Sequence, residues 1–228
     1  MILMTTLIRS RTAAGACTLA LFSLNAHAGR PMTVDDAAIV APGQCQLETY
    51  AQRADHRTEY WATPACNAGG AWELAAGGSW GADTHNGRLQ AKTVFKPMEA
   101  DGWGVGLVLA DQFSSGRGID GDLSANVPLS VSLRDDAVLA HFNAGVVRAQ
   151  ATRGTDVTWG AGAEFKLSDR NSLTAEVFGQ QRAGSRYQFG FAHALIPDRV
   201  QVDTSWSRRL TRGASESMVT LGLVLQTN

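Results

Sequence analysis

From about Leu47 to Leu225 apolar side chains recur at every second position, in runs of about ten residues closed by turns. Ser124–Leu133 shows the pattern most plainly. Ala125, Val127, Leu129, Val131 and Leu133 alternate with Ser124, Asn126, Pro128, Ser130 and Ser132. Successive side chains of a strand point to opposite faces, so such a run has one oily face and one wet face. The same parity groups Trp72, Leu74, Ala76 and Trp80, then Trp103, Val105, Leu107 and Leu109, and finally Val219, Leu221, Leu223 and Leu225. Repeated around a closed sheet with the oily face outward, this pattern crosses a membrane without unpaired backbone.

Turn chemistry sets the strand count. Asn67–Gly70, Pro97–Gly102, Arg134–Asp136, Ser168–Asn171 and Pro197–Arg199 combine Asn, Asp, Gly and Pro, residues suited to turn dihedrals. Longer polar breaks lie between them, at Asp83–Gly87, Ser114–Gly121, Arg148–Asp156 and Thr211–Ser215 among others. The spacing predicts an all-β fold: a closed, antiparallel, up-and-down transmembrane β-barrel of about 12 strands. The strands are placed near 44–53, 58–66, 72–82, 88–96, 103–112, 122–133, 137–148, 157–167, 172–181, 186–196, 200–210 and 216–226. An even count returns both ends of the barrel, 44–228, to the periplasmic side, together with the compact turns. Trp72, Trp80, Trp103, Trp159, Tyr187 and Trp206 fall near strand ends, where aromatic rings settle at lipid headgroups.

The opposite parity predicts the lumen lining: Glu48, Arg88, Lys92, Asn126, His141, Asn143, Glu164, Glu176 and Arg186, with Glu59, Glu73, Gln188, Gln201 and Asp203 on the same face. Both signs are interleaved, so neutralising pairs across the lumen are expected. Gly77, Gly104, Gly106, Gly160, Gly162 and Gly190 share that face and leave room for larger neighbours. A first hairpin folded about Asp55–His56 sets Cys45 across from Cys66, so these two are expected to form a disulfide.

Met1–Ala28 reads as a secretory signal peptide: Arg9 and Arg11, the apolar run Ala16–Leu24, then Ala26-His27-Ala28. Its removal takes two of 20 basic residues and none of the 21 acidic ones, leaving a net charge near −3. No nucleic-acid partner is implied. Residues 29–43 form a periplasmic N-terminal segment whose Asp35 and Asp36 could turn back into the lumen as a plug.

Catalytic and cofactor chemistry is sparse. No metal-ligand spacing and no strand-to-helix glycine loop occurs, so no metal or cofactor is expected, and Gly116-Arg117-Gly118 reads as a loop tip. His141 and Asn143 bring to mind the serine–histidine–asparagine set of a twelve-stranded outer-membrane phospholipase. Here both point inward and no serine is expected beside them, so a hydrogen-bonded lumen histidine is the reading. Glu164 and Glu176 should lie roughly level, at comparable depth across one hairpin, matched by Lys166 or Arg186. No enzyme is predicted.

Arg30-Pro31-Met32-Thr33-Val34-Asp35-Asp36-Ala37, followed by Gly43–Glu48, resembles the mature N-terminus of a proteobacterial family of outer-membrane β-barrels. That family is loosely grouped with the proteins of the phenol meta-cleavage pathway. Glu59–Asn67 and Pro197–Asp203 are similar too, and the likeness spans the mature chain. The resemblance implies an outer-membrane barrel of the transporter kind, without naming a solute. One departure is the end of the chain, where Gln226-Thr227-Asn228 trails Leu225 in place of a terminal aromatic residue.

The sequence thus predicts a protein of the Gram-negative outer membrane, partnered by lipid and the barrel assembly machinery. It would be a narrow channel or binder for a small solute, aromatic or hydrophobic. The alternatives are a non-transporting structural barrel, a soluble periplasmic ligand-binding barrel and an outer-membrane lipid enzyme.

Overall fold

The computed structural model describes residues 30–81, 85–114, 120–210 and 216–227. The proposed signal peptide, the Gly116–Gly118 tip and the Thr211–Ser215 break lie outside them. The described chain forms twelve strands: β1 Cys45–Ala54, β2 Arg57–Cys66, β3 Trp72–Gly81, β4 His85–Lys96, β5 Trp103–Ser114, β6 Asp122–Leu133, β7 Val138–Arg148, β8 Thr155–Ser168, β9 Asn171–Gln180, β10 Gly184–Ile196, β11 Val200–Arg209 and β12 Ser217–Gln226. Each pairs antiparallel with its neighbours in sequence, and β1 pairs with β12, from Gln46 opposite Gln226 to Ala54 opposite Met218. The expected closed barrel is therefore observed. Closure leaves no unpaired sheet edge.

Its burial is the inverse of a water-soluble protein's. Leu74, Phe95 and Leu221 are 61, 65 and 63 % exposed, whereas Ser130, Ser132, His141 and Ser207 are fully buried. The oily parity faces out and the polar parity faces in, the arrangement that a hydrocarbon surround requires.

Strand boundaries depart from expectation where polar residues continue the ladder. The fourth strand starts at His85 rather than 88, because Asn86 points inward and donates to Glu59 Oε1 and Ser79 Oγ, each at 3.0 Å. The ladders thin where a proline removes a donor. No β2–β3 partner is paired with Pro64, and no β5–β6 partner with Pro128. Tight turns use left-handed residues: Arg134, Asp135 and Asp136 have φ of 57°, 53° and 62°.

Cys45 and Cys66 are direct cross-strand partners and are bonded, with Cα atoms 4.1 Å apart. The bond closes the first hairpin at the end of the barrel where β1 begins and β12 ends, hereafter the terminal end. Constraining a loop of this length in the unfolded chain contributes about 3 kcal/mol. Replacing both cysteines with serine is expected to lower the unfolding free energy by about that amount. Urea titration of the refolded barrel in micelles measures it; an unchanged midpoint would show that the bond adds nothing.

Candidate functional site

Residues 30–43 run inside the barrel. The strand wall meets this segment mainly through its backbone. Thr33 N–H donates to Glu176 Oε1 at 2.8 Å and Oε2 at 3.0 Å, and Val34 N–H donates to Oε2 at 2.8 Å. Asp35 N–H donates to Asn143 Oδ1, whose own Nδ2 returns a bond to Asp35 O, both 2.8 Å. Ala37 N–H donates to Ser130 Oγ at 2.8 Å, and Val40 N–H to Glu73 Oε2 at 2.7 Å. In the other sense, Gln188, Gln201 and Asn67 amides donate to the carbonyls of Pro31, Arg30 and Val40. An irregular segment away from bulk water needs such partners, and here the inward parity of six strands and one turn supplies them.

Its charged side chains are answered as well. Lys92 forms an ion pair with Asp36, both side chains under 10 % exposed. Arg30 Nη2 lies 3.3 Å from Asp203 Oδ1, whose side chain is fully buried. The Arg30 guanidinium sits 3.6 Å above the Tyr50 ring, which in turn stacks on Trp61 at 5.9 Å. Asn126 Nδ2 donates to Asp35 Oδ2 at 2.7 Å. The inward glycines explain how the segment fits. A Cβ at Gly160 would come within 2.7 Å of Val34 Cγ2, and one at Gly190 within 2.6 Å of Pro31 Cγ; Met32 covers Gly162 in the same way. These glycines, two on β8 and one on β10, thus form a trough for residues 31–34.

The predicted lining residues divide into groups. Lys92, Asn126, Asn143 and Glu176 meet the segment directly. Glu48 and Arg88 border a cavity beside it, Arg88 donating to Gln90 Oε1 at 2.7 Å. Arg186 pairs elsewhere, with Glu216 at 3.2 Å. Glu164 has no hydrogen bond to the segment among the described residues.

Three expectations need correction. Ion pairs were expected between wall residues across the lumen, yet Lys92 and Asp203 are neutralised by the segment, which supplies Asp36 and Arg30. Glu176 is matched by backbone N–H groups and Gln188, not by Lys166 or Arg186. It is offset from Glu164 by two residues along the ladder, with Glu164 opposite Thr174 and Glu176 opposite Gly162. Finally, a serine does stand beside His141. Ser130 is its direct cross-strand partner, and Ser130 Oγ lies 2.8 Å from His141 Nδ1. Both are fully buried and the serine oxygen already accepts the Ala37 N–H, so the pair anchors the segment and is closed to substrate.

Trp61 and Tyr50 escaped the sequence reading as lumen residues. Their parity was the available signal: Trp61 is two residues from Glu59, and Tyr50 two from Glu48.

Beside the segment, among the described residues, lie two cavities. One of about 290 Å³ follows the β1–β4 wall past Gln46, Glu48, Tyr50, Arg88 and Gln90, on one side of the segment. The other, about 350 Å³, lies over Thr33–Asp35 against β6–β11.

A closed, inside-out barrel of twelve antiparallel strands with a polar lumen is the fold of outer-membrane porins. The chain belongs to the family described as "Uncharacterised conserved protein UCP029691", whose model matches residues 17–227. Among solved structures it is similar to the KdgM porin, with a TM-score of 0.67, 6 % identity and coverage of 80 % of this chain and 99 % of that one. The NanC porin gives a TM-score of 0.64 at 10 % identity, covering 78 % and 98 %. The outer-membrane protein Omp33 of Acinetobacter baumannii gives 0.52 at 10 % identity, covering 81 % and 98 %. These likenesses concern the fold. No curated protein matches the sequence.

Proposed function

We propose that this protein is a barrel of the Gram-negative outer membrane that binds and passes small solutes through a lumen narrowed by its own N-terminal segment. The observation that carries the reading is the seat of residues 30–43: bonded to the wall through backbone and side chains, yet flanked by two cavities of about 290 and 350 Å³. Spaces of that size suit one small molecule. In this reading residues 1–28 direct export and are cleaved, the terminal end faces the periplasm, the barrel assembly machinery inserts the strands, and lipid covers the oily face.

Porin neighbours support solute passage, and a KdgM structure is described in complex with disordered oligogalacturonate. The resemblance to barrels grouped with phenol meta-cleavage favours an aromatic or hydrophobic solute here. Catalysis is not part of the proposal, since the Ser130–His141 pair is sealed beneath Ala37.

The density of bonds to the segment also favours a second reading, a structural barrel that conducts nothing. Single-channel recording in planar bilayers separates the two. The full-length chain is expected to show small conductance steps, and deletion of residues 30–42 to raise them several-fold. Steps of equal size before and after deletion would overturn the narrowed-lumen reading, and a silent full-length barrel would support the structural one.

A further inference from the structure

At the level of the larger cavity, one cross-strand row of inward positions carries a distinctive set of side chains. Asn143 is opposite Gly160, Gly160 opposite Phe178, Phe178 opposite Arg186, and Arg186 opposite Arg209. Directly opposed residues stand side by side on one face of a sheet. The row therefore runs amide, gap, aromatic ring, guanidinium, guanidinium across β7 to β11. Val34 of the lumen segment fills the gap at Gly160 and forms part of the cavity floor.

Two like charges set directly opposite repel each other. A single acid answers both: Arg186 Nη2 lies 3.2 Å and Arg209 Nε 2.9 Å from the same oxygen, Glu216 Oε2. Arg186 Nη1 also donates to Ser207 Oγ at 3.2 Å. Among the described residues no other acid stands within ion-pair distance of either guanidinium. Two cations share one anion, so this patch of wall carries an excess positive charge. Asp156 is paired with Arg182 and bonded by Gln180, and Asp35, which keeps its charge under a bond from the Asn126 amide, lies at the Asn143 end of the row, away from the two arginines.

We infer that this row is a binding site for a small aromatic carboxylate, with the carboxylate on the Arg186–Arg209 pair and the ring against Phe178 and Val34. A planar fork of guanidinium donors suits a carboxylate, and the adjacent ring and valine suit an apolar body. The inference rests on the proposal that the lumen admits small solutes, and it adds their chemical class. Because Val34 and Asp35 floor the cavity, an occupant would touch the segment that narrows the lumen.

Titration calorimetry on the full-length barrel in micelles at low salt tests it, with benzoate, benzamide and acetate as probes. Benzoate is expected to bind, with benzamide (no charge) and acetate (no ring) at least tenfold weaker. Arg209→Gln should weaken benzoate at least tenfold. Glu216→Gln should tighten it several-fold, because it frees both guanidiniums. If the arginines merely held Glu216 in place, both substitutions would leave benzoate affinity unmoved or lower it together. Phe178→Leu should narrow the preference for benzoate over acetate, and serves if Arg209→Gln does not fold. No benzoate binding by the native chain, or weaker binding in Glu216→Gln, overturns the inference. Binding in micelles requires no conduction, so a barrel that conducts without binding benzoate refutes this site and leaves the narrowed-lumen reading standing.

Discussion

Lys92→Ala is expected to loosen residues 30–43 from the lumen wall. The Asp36 carboxylate and the Lys92 ammonium face each other with side chains only 7 % and 9 % exposed. Removing one partner of a buried pair strands the other, at a cost of about 3–5 kcal/mol. Each ~1.4 kcal/mol is tenfold in an equilibrium, so the seated state should lose a factor of ~10² to 10³ over the released one. Endoproteinase Asp-N measures the outcome, since it cleaves before Asp35 and Asp36 only when they leave the barrel. The native chain should resist and Lys92→Ala should be cut. Adding Asp36→Ala removes the stranded charge, so the double variant should lose less than the two single losses combined. Equal resistance of Lys92→Ala and the native chain would show that the pair does not hold the segment.

Glu176→Ala should have a comparable effect by a different route. One carboxyl group accepts from Thr33 N–H, Val34 N–H and Gln188 Nε2. A buried donor left without a partner costs about 1–3 kcal/mol, and more where the acceptor was charged. Two backbone donors and one amide are orphaned together, although water in the neighbouring cavities will recover part of the loss. The segment is expected to be released at its Pro31–Val34 end, with single-channel steps that approach those of the 30–42 deletion. Glu176→Gln keeps one acceptor oxygen and should fall between. A Glu176→Ala barrel with native-sized steps would refute the role given to this residue.

These effects concentrate on a wall whose chemistry can be read from parity, and a segment whose contacts cannot. Lys92 and Glu176 share the inward face with Gln90 and Thr174 because side chains alternate along any strand, whatever lies opposite. That Lys92 meets Asp36, or Glu176 meets Thr33, spans 56 and 143 residues of chain. No local pattern records such pairings. The same holds for Ser130 and His141. Each is legible as inward-facing, yet their contact follows from the β6–β7 register, which a shift of one residue would abolish. The two-residue offset of Glu164 from Glu176 is likewise a matter of register, one residue of it set by the turn that places Ser168 opposite Asn171 and one by the irregularity beside it.

By itself the sequence determined the all-β class, the number of strands, the outward oily ribbon, the polar inner wall and the Cys45–Cys66 pairing. Those features rest on a period of two and on turn chemistry, both local. Only the tertiary structure decided how the inner wall is used: the trough of glycines under Pro31–Val34, the neutralisation of Lys92 and Asp203 by one short segment, and the row from Asn143 to Arg209. Each of these arises when register and closure bring together side chains far apart along the chain, so their energies depend on geometry that a linear pattern does not contain.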